Sequence, residues 1–434
     1  MIGARSLLDA RSLKFRAGRN LGPGEIRGAA LPRRECDILV AGGGLAGLLA
    51  TAAFGSAGYD VICIDRRSER SETAETMADT RSTALLLPAK SVLSLAGIWP
   101  EIDKESIPLR CMKIIDANGD CEINSVVEFE SSEIGREKFG WNISNKYLRG
   151  LLKDRISGLS NVSVLQGRLV NRVLNRDLEA IAEYSGGNRI AAKLVLAADG
   201  RNSAIRESLG IKVIGRDARQ TALAFSVLHQ FPHGDTSVEI HDSGGPFTLI
   251  PLPDLNGGPA SAVVWIEASE AAKDIPSLPK CEFNAKITKR SCSIFGQLKL
   301  VSDIGAWPVL SQLANRFAEG RTALIAECAH VLPPIGAQGL NLSIGDIASL
   351  YALLENSDLE NRDFADRLAF DARARQFAAF KRYIGVEALN LASSWESNAM
   401  RRIRTRGLEA VGGIGAVRKP LMRSGIGSEF DIVH

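Results

Sequence analysis

The sequence predicts an α/β fold with a βαβ unit near its start, an antiparallel-sheet layer in its middle and helices at its end. Three observations carry that prediction. Residues 37–65 read strand, glycine turn, helix, strand. Between Ile211 and Leu310 the runs TALAFSVL, SVEIHD, FTLIPL and SAVVWIE alternate apolar and polar residues between Gly, Pro and Asn breaks, the pattern of half-buried strands. Over residues 395–428 basic and apolar residues interleave, as on a helix with two unlike faces.

Of the 434 residues, 45% are hydrophobic and 24% charged. That composition suits a soluble globular protein whose core needs no covalent staples. At about 150 residues per domain the length implies about three units, but the motifs below tie both ends of the chain into one domain, so fewer are expected. Seven cysteines (Cys36, Cys63, Cys111, Cys121, Cys281, Cys292, Cys328) include no CxxC pair, and five histidines show no HExxH spacing. This argues against a disulfide framework and a metal site, and suits a reducing compartment. The net charge of +3 is uneven: residues 1–35 hold eight basic residues against three acids, a net +5, leaving −2 for the rest. Such a segment reads as a disordered leader or an upstream start site, with a mitochondrial transit peptide as the alternative. The longest apolar run, Ile38–Phe54, has 17 residues and contains Gly42, Gly43, Gly44 and Gly47. A spanning helix needs about 20 strongly apolar residues, so the run divides into strand, turn and helix.

Within that run, Ile38–Val40 is a buried strand, Gly42-x-Gly44-x-x-Gly47 a turn, and Ala46–Ala57 a small-residue helix stopped by Gly58. Tyr59–Ile64 is the second strand, ending at Asp65, 18 residues after Gly47. Gly42 makes the tight turn, Gly44 admits a pyrophosphate against bare backbone, and Gly47 lets helix and strand approach. The helix N-terminus adds free amides and partial positive charge, and Asp65 stands where a carboxylate meets ribose hydroxyls. This Rossmann-like unit binds a dinucleotide, without deciding which.

Two later segments extend the pattern. In 194–210 a strand (Leu194–Ala198) runs into Asp199-Gly200, and Asn202-Ser203 opens a short helix carrying Arg206. Alone this is also an ordinary strand–turn–helix with a serine cap. In 321–350, Thr322–Ala326 is a strand and Pro333-Pro334 enforces extended chain. Gly336 and Gly339 let backbone pass close to a flat ligand, and a helix follows from about Leu340. That helix is expected to turn Ile344, Ile347 and Leu350 inward and Asp346 away. Its N-terminus would stabilise negative charge on a reduced ring.

Together, Gly42–Gly47, Asp199–Arg206 and Pro333–Asn341 resemble the three fingerprints of the flavin-dependent aromatic hydroxylases. Within that class the chain is most similar to the ubiquinone-biosynthesis hydroxylases (2-polyprenyl-6-methoxyphenol hydroxylase-like). The matching pieces are DTRSTAL (79–85), SVLSLAGIW (91–99), FGWNISN (139–145), GPFTLIPLP (245–253), PPIGAQGLN (333–341) and the region from Leu389 onward. The resemblance implies an FAD-binding domain from 36–110, 145–210 and 320–390, and a para-hydroxybenzoate-hydroxylase-like substrate domain from 111–144 and 211–319. Residues 391–434 would form a C-terminal helical region. It further implies FAD, with NADPH or NADH as reductant and dioxygen as co-substrate, acting on a polyprenylated phenol. By matching position, Gly42, Gly44, Gly47 and Asp65 resemble the ADP-binding residues, and Arg81 the arginine beside the ring. Asp199 and Gly200 resemble the motif serving FAD and the pyridine nucleotide, and Gly336, Gly339, Leu340 and Asn341 the loop and helix start at the isoalloxazine.

One departure stands out. Where that class has Gly-Asp, this chain has Ala326-Glu327; the carboxylate expected at the ribityl chain gains a methylene and the permissive glycine is lost, which weakens the expected hold on flavin. The flavin carries the chemistry in this class, so no catalytic residue, nucleophile or metal is expected. His330 reads as a hydrogen-bonded structural histidine. The tryptophans Trp99, Trp141, Trp265 and Trp307 are expected in the core, with Trp265 alone on a strand facing substrate. The pieces around 111–130 are expected to join the antiparallel sheet.

In 395–428, Arg401, Arg402, Arg404, Arg406, Arg418, Lys419 and Arg423 face only Glu396 and Glu409. The stretch is either a solvated cover on the FAD domain or a surface for anionic lipid. The implied lipid substrate favours the second, placing the protein in the bacterial cytoplasm at the inner membrane, within reach of a ubiquinone-biosynthesis complex, or in the mitochondrial matrix. Nothing points to nucleic acid. No Trp-x-Trp element of a flavin halogenase is present. A non-catalytic flavin-fold protein for prenylated partners fits the Ala326-Glu327 departure and stays open.

Overall fold

The computed structural model describes residues 34–68, 79–118, 122–242, 244–394 and 398–427, except the side chains of 398–401, 411, 416 and 417. The expected leader lies outside these residues up to position 33, but its last two residues do not belong to it. Strand β1 (Arg34–Ala41) begins there, with Arg34 paired to Ile190 and Glu35 to Ala191. Ladder pairing uses backbone alone, so polar side chains that point to solvent lengthen the strand at no cost.

β1 is central in a sheet with β2 (Val61–Asp65) and β8 (Val162–Gln166) on one side. On the other side lie β11 (Asn188–Ala197), β19 (Thr322–Leu324) and β18 (Ala318–Glu319). The pairings among β8, β2, β1, β11 and β19 are parallel. β9 (Val170–Asn175) and β10 (Ala180–Tyr184) join through antiparallel pairing to β11. Buried on both faces, Ile38–Ala41 of β1 and Leu194–Ala197 of β11 are continuous apolar runs. Helix α1 (Leu45–Ser56) is buried nearly all round because Ala, Gly and Thr let the sheet approach closely. It packs on α2 (Asn145–Ser157) and α5 (Gln338–Glu355). Between α2 and α5 in the chain come α3 (Ala204–Ser208) and α4 (Lys280–Arg290).

A second sheet runs β20 (His330–Val331), β17 (Gly305–Ala314), β12 (Val213–His229), β15 (Gly258–Ala268), β14 (Pro246–Leu255), β13 (Thr236–His241), β5 (Cys111–Ala117), β6 (Ile123–Glu130). β16 (Leu298–Leu300) pairs with β12. The expected sheet is there and 111–130 joins it, although the β13–β5 junction is parallel. Period-two alternation divides its faces. Leu223, Phe225, Phe247, Val263 and Trp265 share one face, closed by Phe283 and Ile287 of α4. Trp265 therefore faces α4 and not the substrate side, correcting the expectation. The other face carries Ala222, Ile266, Val264, Thr248 and Ile250, the last three only half-buried. A small sheet of β3 (Ser82–Leu86), β7 (Gly140–Ser144) and β4 (Ile107–Leu109) abuts β14.

Three helices end the chain: α6 (Phe364–Ser393), α7 (Asn398–Gly413) and α8 (Gly415–Ile426). The basic stretch is not uniformly solvated. Arg404 is buried, its Nε donating to Asp116 Oδ1 at 2.6 Å, and Arg418 Nε donates to Glu133 Oε2 at 2.6 Å. Both arginines fasten helices to the rest of the protein, Arg404 through the buried Asp116 carboxylate, which needs a partner, and Arg418 through the half-buried Glu133. No helix among the described residues is long and apolar enough to cross a membrane.

Candidate active site

Parallel register brings four strand ends into line. Ala41 sits beside Ala197 and Ile64, and Ala197 beside Leu324. The residues that follow, Gly42, Asp65, Asp199 and Ala326-Glu327, therefore share the carboxyl edge of one sheet, where open α/β sheets bind ligands. Segments separated by up to 285 residues in sequence (Gly42 to Glu327) meet there because each follows a strand of equal register.

Gly42 has φ +123, and a Cβ there would collide with the Ala198 carbonyl oxygen. Gly47 is closed against the Gly42 carbonyl in the same way. Gly44 differs, since no atom lies within 4 Å of where its Cβ would stand. It precedes a helix with no side-chain cap, whose first amides lack intrahelical partners. Arg149 NH1 donates to the Gly43 carbonyl at 2.9 Å, and Arg67 NH2 donates to the same oxygen. Open space, free amides and two guanidinium groups fit a dinucleotide pyrophosphate. Asp65 is already engaged: Arg67 NH2 donates to its Oδ2 at 2.9 Å and the Arg67 amide to its Oδ1 at 3.2 Å. Any ribose contact is shared with that arginine.

The Asp199 carboxylate is directed into the protein. It accepts from Ser203 Oγ at 2.6 Å, the Ala204 amide at 2.9 Å and Cys328 Sγ at 3.0 Å. The Gly200 amide donates to Cys328 Sγ, and Arg206 NH1 to the Cys328 carbonyl at 3.0 Å. Burial and Asp199 push the Cys328 thiol well above its ordinary value, so it stays protonated as a donor. The second and third motifs are thus stitched together at one cysteine.

β19 ends at Leu324, earlier than the expected Ala326, because Ala326 takes φ +56. Its amide donates to Asp346 Oδ2 at 3.1 Å. Asp346, expected to point away, is 2% exposed and sits within reach of His330 Nε2 at 2.7 Å and Arg375 NH1 at 3.3 Å. Burial works against its charge, but His330 and Arg375 outweigh it and hold the carboxyl below the usual range. Helical spacing put Asp346 near the apolar residues; only the buried Arg375 and His330 explain its inward turn. Glu327 is exposed at the strand edge.

Arg81 lies over the Trp307 ring at 4.8 Å, and Asp79 Oδ1 accepts from its Nε at 2.7 Å. That bond raises the Arg81 guanidinium above its ordinary value, with Glu327 contributing. Trp307 is therefore half-exposed at the site and not in the core, while Trp99 and Trp141 contact edge-on at 4.6 Å. Gly336 has φ +61 and Ala337 φ +56, opening α5 at Gln338 without a side-chain cap. Asn341 turns inward: its Nδ2 donates to the Ala84 carbonyl at 2.7 Å and its Oδ1 accepts from the Leu86 amide at 2.9 Å. It ties α5 to β3, while Gly336 and Gly339 stay exposed and Leu340 half-buried. Ile335 packs on Ala222, Ile266 and Val309, bringing this loop onto the half-buried sheet face. A cleft of about 1030 Å³ lies elsewhere, beside α4. Its lining lacks every strand-edge residue, so the site is assigned by the strand edge and not by cavity size.

Sequence reasoning did not single out Arg67, Arg149 or Cys328. Arg67 follows Asp65 by two positions, a detectable signal, but Arg149 and Cys328 reach the site through tertiary contacts alone.

A family model described as an FAD binding domain matches residues 35–363. The chain is 28% identical to ubiquinone hydroxylase UbiL of Rhodospirillum rubrum, covering 93% of this chain and 92% of that protein. It is 25% identical to the 3-demethoxyubiquinol 3-hydroxylase of Escherichia coli, covering 75% of this chain and 81% of that one. Among solved structures, p-nitrophenol 4-monooxygenase PnpA of Pseudomonas putida superposes with a TM-score of 0.71 at 19% identity, covering 90% of this chain and 97% of that one. Likeness at that identity establishes the fold, a mixed α/β architecture shared with flavin monooxygenases.

Proposed function

This chain belongs to the FAD-binding-domain family matched over 35–363, and from that premise we propose that it hydroxylates the aromatic ring of a polyprenylated phenol in ubiquinone biosynthesis. The observation that carries the proposal is the convergence of three motifs on one strand edge beside a half-buried apolar sheet face. The ubiquinone hydroxylases among its relatives support the substrate class.

In this reading Gly42, Gly44 and Gly47 seat the pyrophosphate and Asp65, shared with Arg67, meets the ribose. Glu327 approaches the ribityl chain, and Arg81 lies beside the ring. Gly336, Gly339 and Leu340 bring bare backbone to the ring edge. Asp199, Gly200 and Asn341 act indirectly, by holding the loops in place. Bound there, FAD would supply the redox chemistry, by which a hydride from NADPH or NADH provides the electrons for placing one oxygen atom of dioxygen on the ring and releasing the other as water. The protein's share is to orient the phenol and exclude water; Val264, Thr248 and Ile250 offer an apolar wall for that purpose. The uncapped N-terminus of α5 places free amides where negative charge would gather on the reduced ring. The exposed side chains Arg402, Ile403 and Arg406 of α7, Ile414 between the helices, and Lys419 and Arg423 of α8 contribute to a peripheral membrane contact.

The test is direct. Purified protein should show a flavin absorption spectrum that bleaches with NADPH or NADH, and it should convert a short-chain phenol to a catechol with consumption of dioxygen. Flavin binding without reduction or product would instead favour the non-catalytic prenyl-binding reading, which the Ala326-Glu327 departure keeps open.

A further inference from the structure

Helix α6 buries Phe364, Leu368, Ala372, Arg375, Ala379, Val386 and Asn390, a spacing of three and four that marks one face. A surface helix normally turns charge outward on the opposite side. Here that side carries Phe370 at 75% exposure, Phe377 at 63%, Phe380 at 48%, Ile384 at 52% and Leu391 at 45%. At 100° per residue these five fall within an arc of about 80° and extend over about 30 Å of helix. Between 370 and 394 the exposed charges are Arg373 and Lys381, and no exposed acid is present. Lys381 Nζ sits 4.9 Å from the Phe377 ring centroid, with its charge above an apolar stripe. Among the described residues nothing covers this face, and stripes of this size mark binding surfaces.

Charge selects the occupant. A second copy would bring two cationic stripes together, whereas an anionic lipid surface complements them. α7 follows at the end of α6. Arg404 NH1 donates to the Ser393 carbonyl at 3.2 Å, holding α7 at the end of α6, and α7 presents exposed Arg402, Ile403 and Arg406. On its inner side α6 reaches the site, since Val386 packs in the same cluster as Ile335.

We propose that the outer face of α6, centred on Phe370, Arg373, Phe377, Phe380, Lys381 and Ile384, is a membrane-docking surface that lies in the headgroup layer of an anionic bilayer. The inference builds on the proposed lipid-borne substrate. One helix then has its outer face in the lipid while its inner face backs the loop where the ring would sit, shortening the path of a prenylated phenol.

The experiment uses the full-length flavin-loaded protein sedimented with vesicles of phosphatidylglycerol and phosphatidylethanolamine, or of phosphatidylcholine alone. Wild type should pellet with the anionic vesicles and much less with the neutral ones. The double variant F377S/I384S should lower the partition coefficient by about tenfold or more. The charge variant R373E/K381E should lower it by about thirtyfold at low salt. Unchanged far-UV circular dichroism and flavin spectra exclude misfolding, as all four residues are exposed. The variant R402E/R406E is run in parallel. If it alone releases the protein, α6 is not the docking surface and the inference falls. If F377S/I384S turns a dimer into a monomer while vesicle binding persists, the stripe is a contact between copies, which also overturns it. Turnover of a water-soluble phenol is scored separately and should be wild-type in every variant. Loss of membrane binding with retained turnover supports the inference; no turnover in wild type counts against the hydroxylase reading alone.

Discussion

The two sheets use buried charge to different ends. At the carboxyl edge of the parallel sheet, Asp199 accepts from four groups and Asp346 from three, and three of these donors are backbone amides. Those contacts hold turns. At the far edge of the antiparallel sheet, Asp116 holds α7 chiefly through Arg404, and Glu133 holds the α8 end of the chain through Arg418. Those contacts hold whole helices, beside one small apolar cluster in which Met422, Leu408 and Ile426 meet Val127, Phe129 and Phe139. Many short-range partners make a stiff site, whereas a few ion pairs and a small cluster make a cover that is easier to loosen.

The largest expected effect lies in the turn. Gly42→Ala should prevent folding, because it forces a Cβ into φ +123 and against the Ala198 carbonyl; little soluble protein is expected. At Gly44 an added Cβ has open space, so Gly44→Val should fold normally and lose FAD, read as a colourless protein with wild-type circular dichroism. If both variants fold and both hold flavin, the turn does not bind the pyrophosphate.

At the cover, Arg404→Ala strands the buried Asp116 carboxylate, and breaking a buried pair costs about 3–5 kcal/mol. The cost should appear as faster proteolysis within 398–427 with little change in flavin content. The paired change D116N/R404M should recover most of it. A matching loss of flavin would show that cover and site are one cooperative unit.

A smaller effect of opposite sign is expected at Ala326. Its left-handed backbone, φ +56, costs a non-glycine residue about 1 kcal/mol, so Ala326→Gly should raise the melting temperature by about 2 °C. No rise would mean that the Asp346 contact has already absorbed the strain.

The mildest lever is pH. Hydrogen bonding from Arg418 lowers the Glu133 carboxyl to about 2, below the ordinary value of about 4.3. A depressed carboxylate stabilises the fold above its unfolded pKa and loses that contribution as pH falls through the folded one. Hydrogen-exchange protection in α8, relative to the intrinsic rate at each pH, should therefore fall between about pH 4 and pH 2, and Glu133→Gln should remove that step.

The sequence by itself determined the βαβ turn, the three motifs and the antiparallel runs. Each rests on something local: a positive φ that requires glycine, a proline that forbids helix, or an alternation of period two. It did not determine which polar residues turn inward. Asp346 lies on its helix beside Ile344 and Ile347, and its direction depends on Arg375 and His330, which arrive from other elements. Arg404 reads as one more cation in a basic stretch, and its partner Asp116 is 288 positions away. Trp265 alternates correctly along its strand, yet which face met α4 was settled only when the sheet closed. Local backbone preference is written residue by residue, whereas the partner of a buried charge is set by whatever surface folding brings against it. Only the tertiary structure decided that.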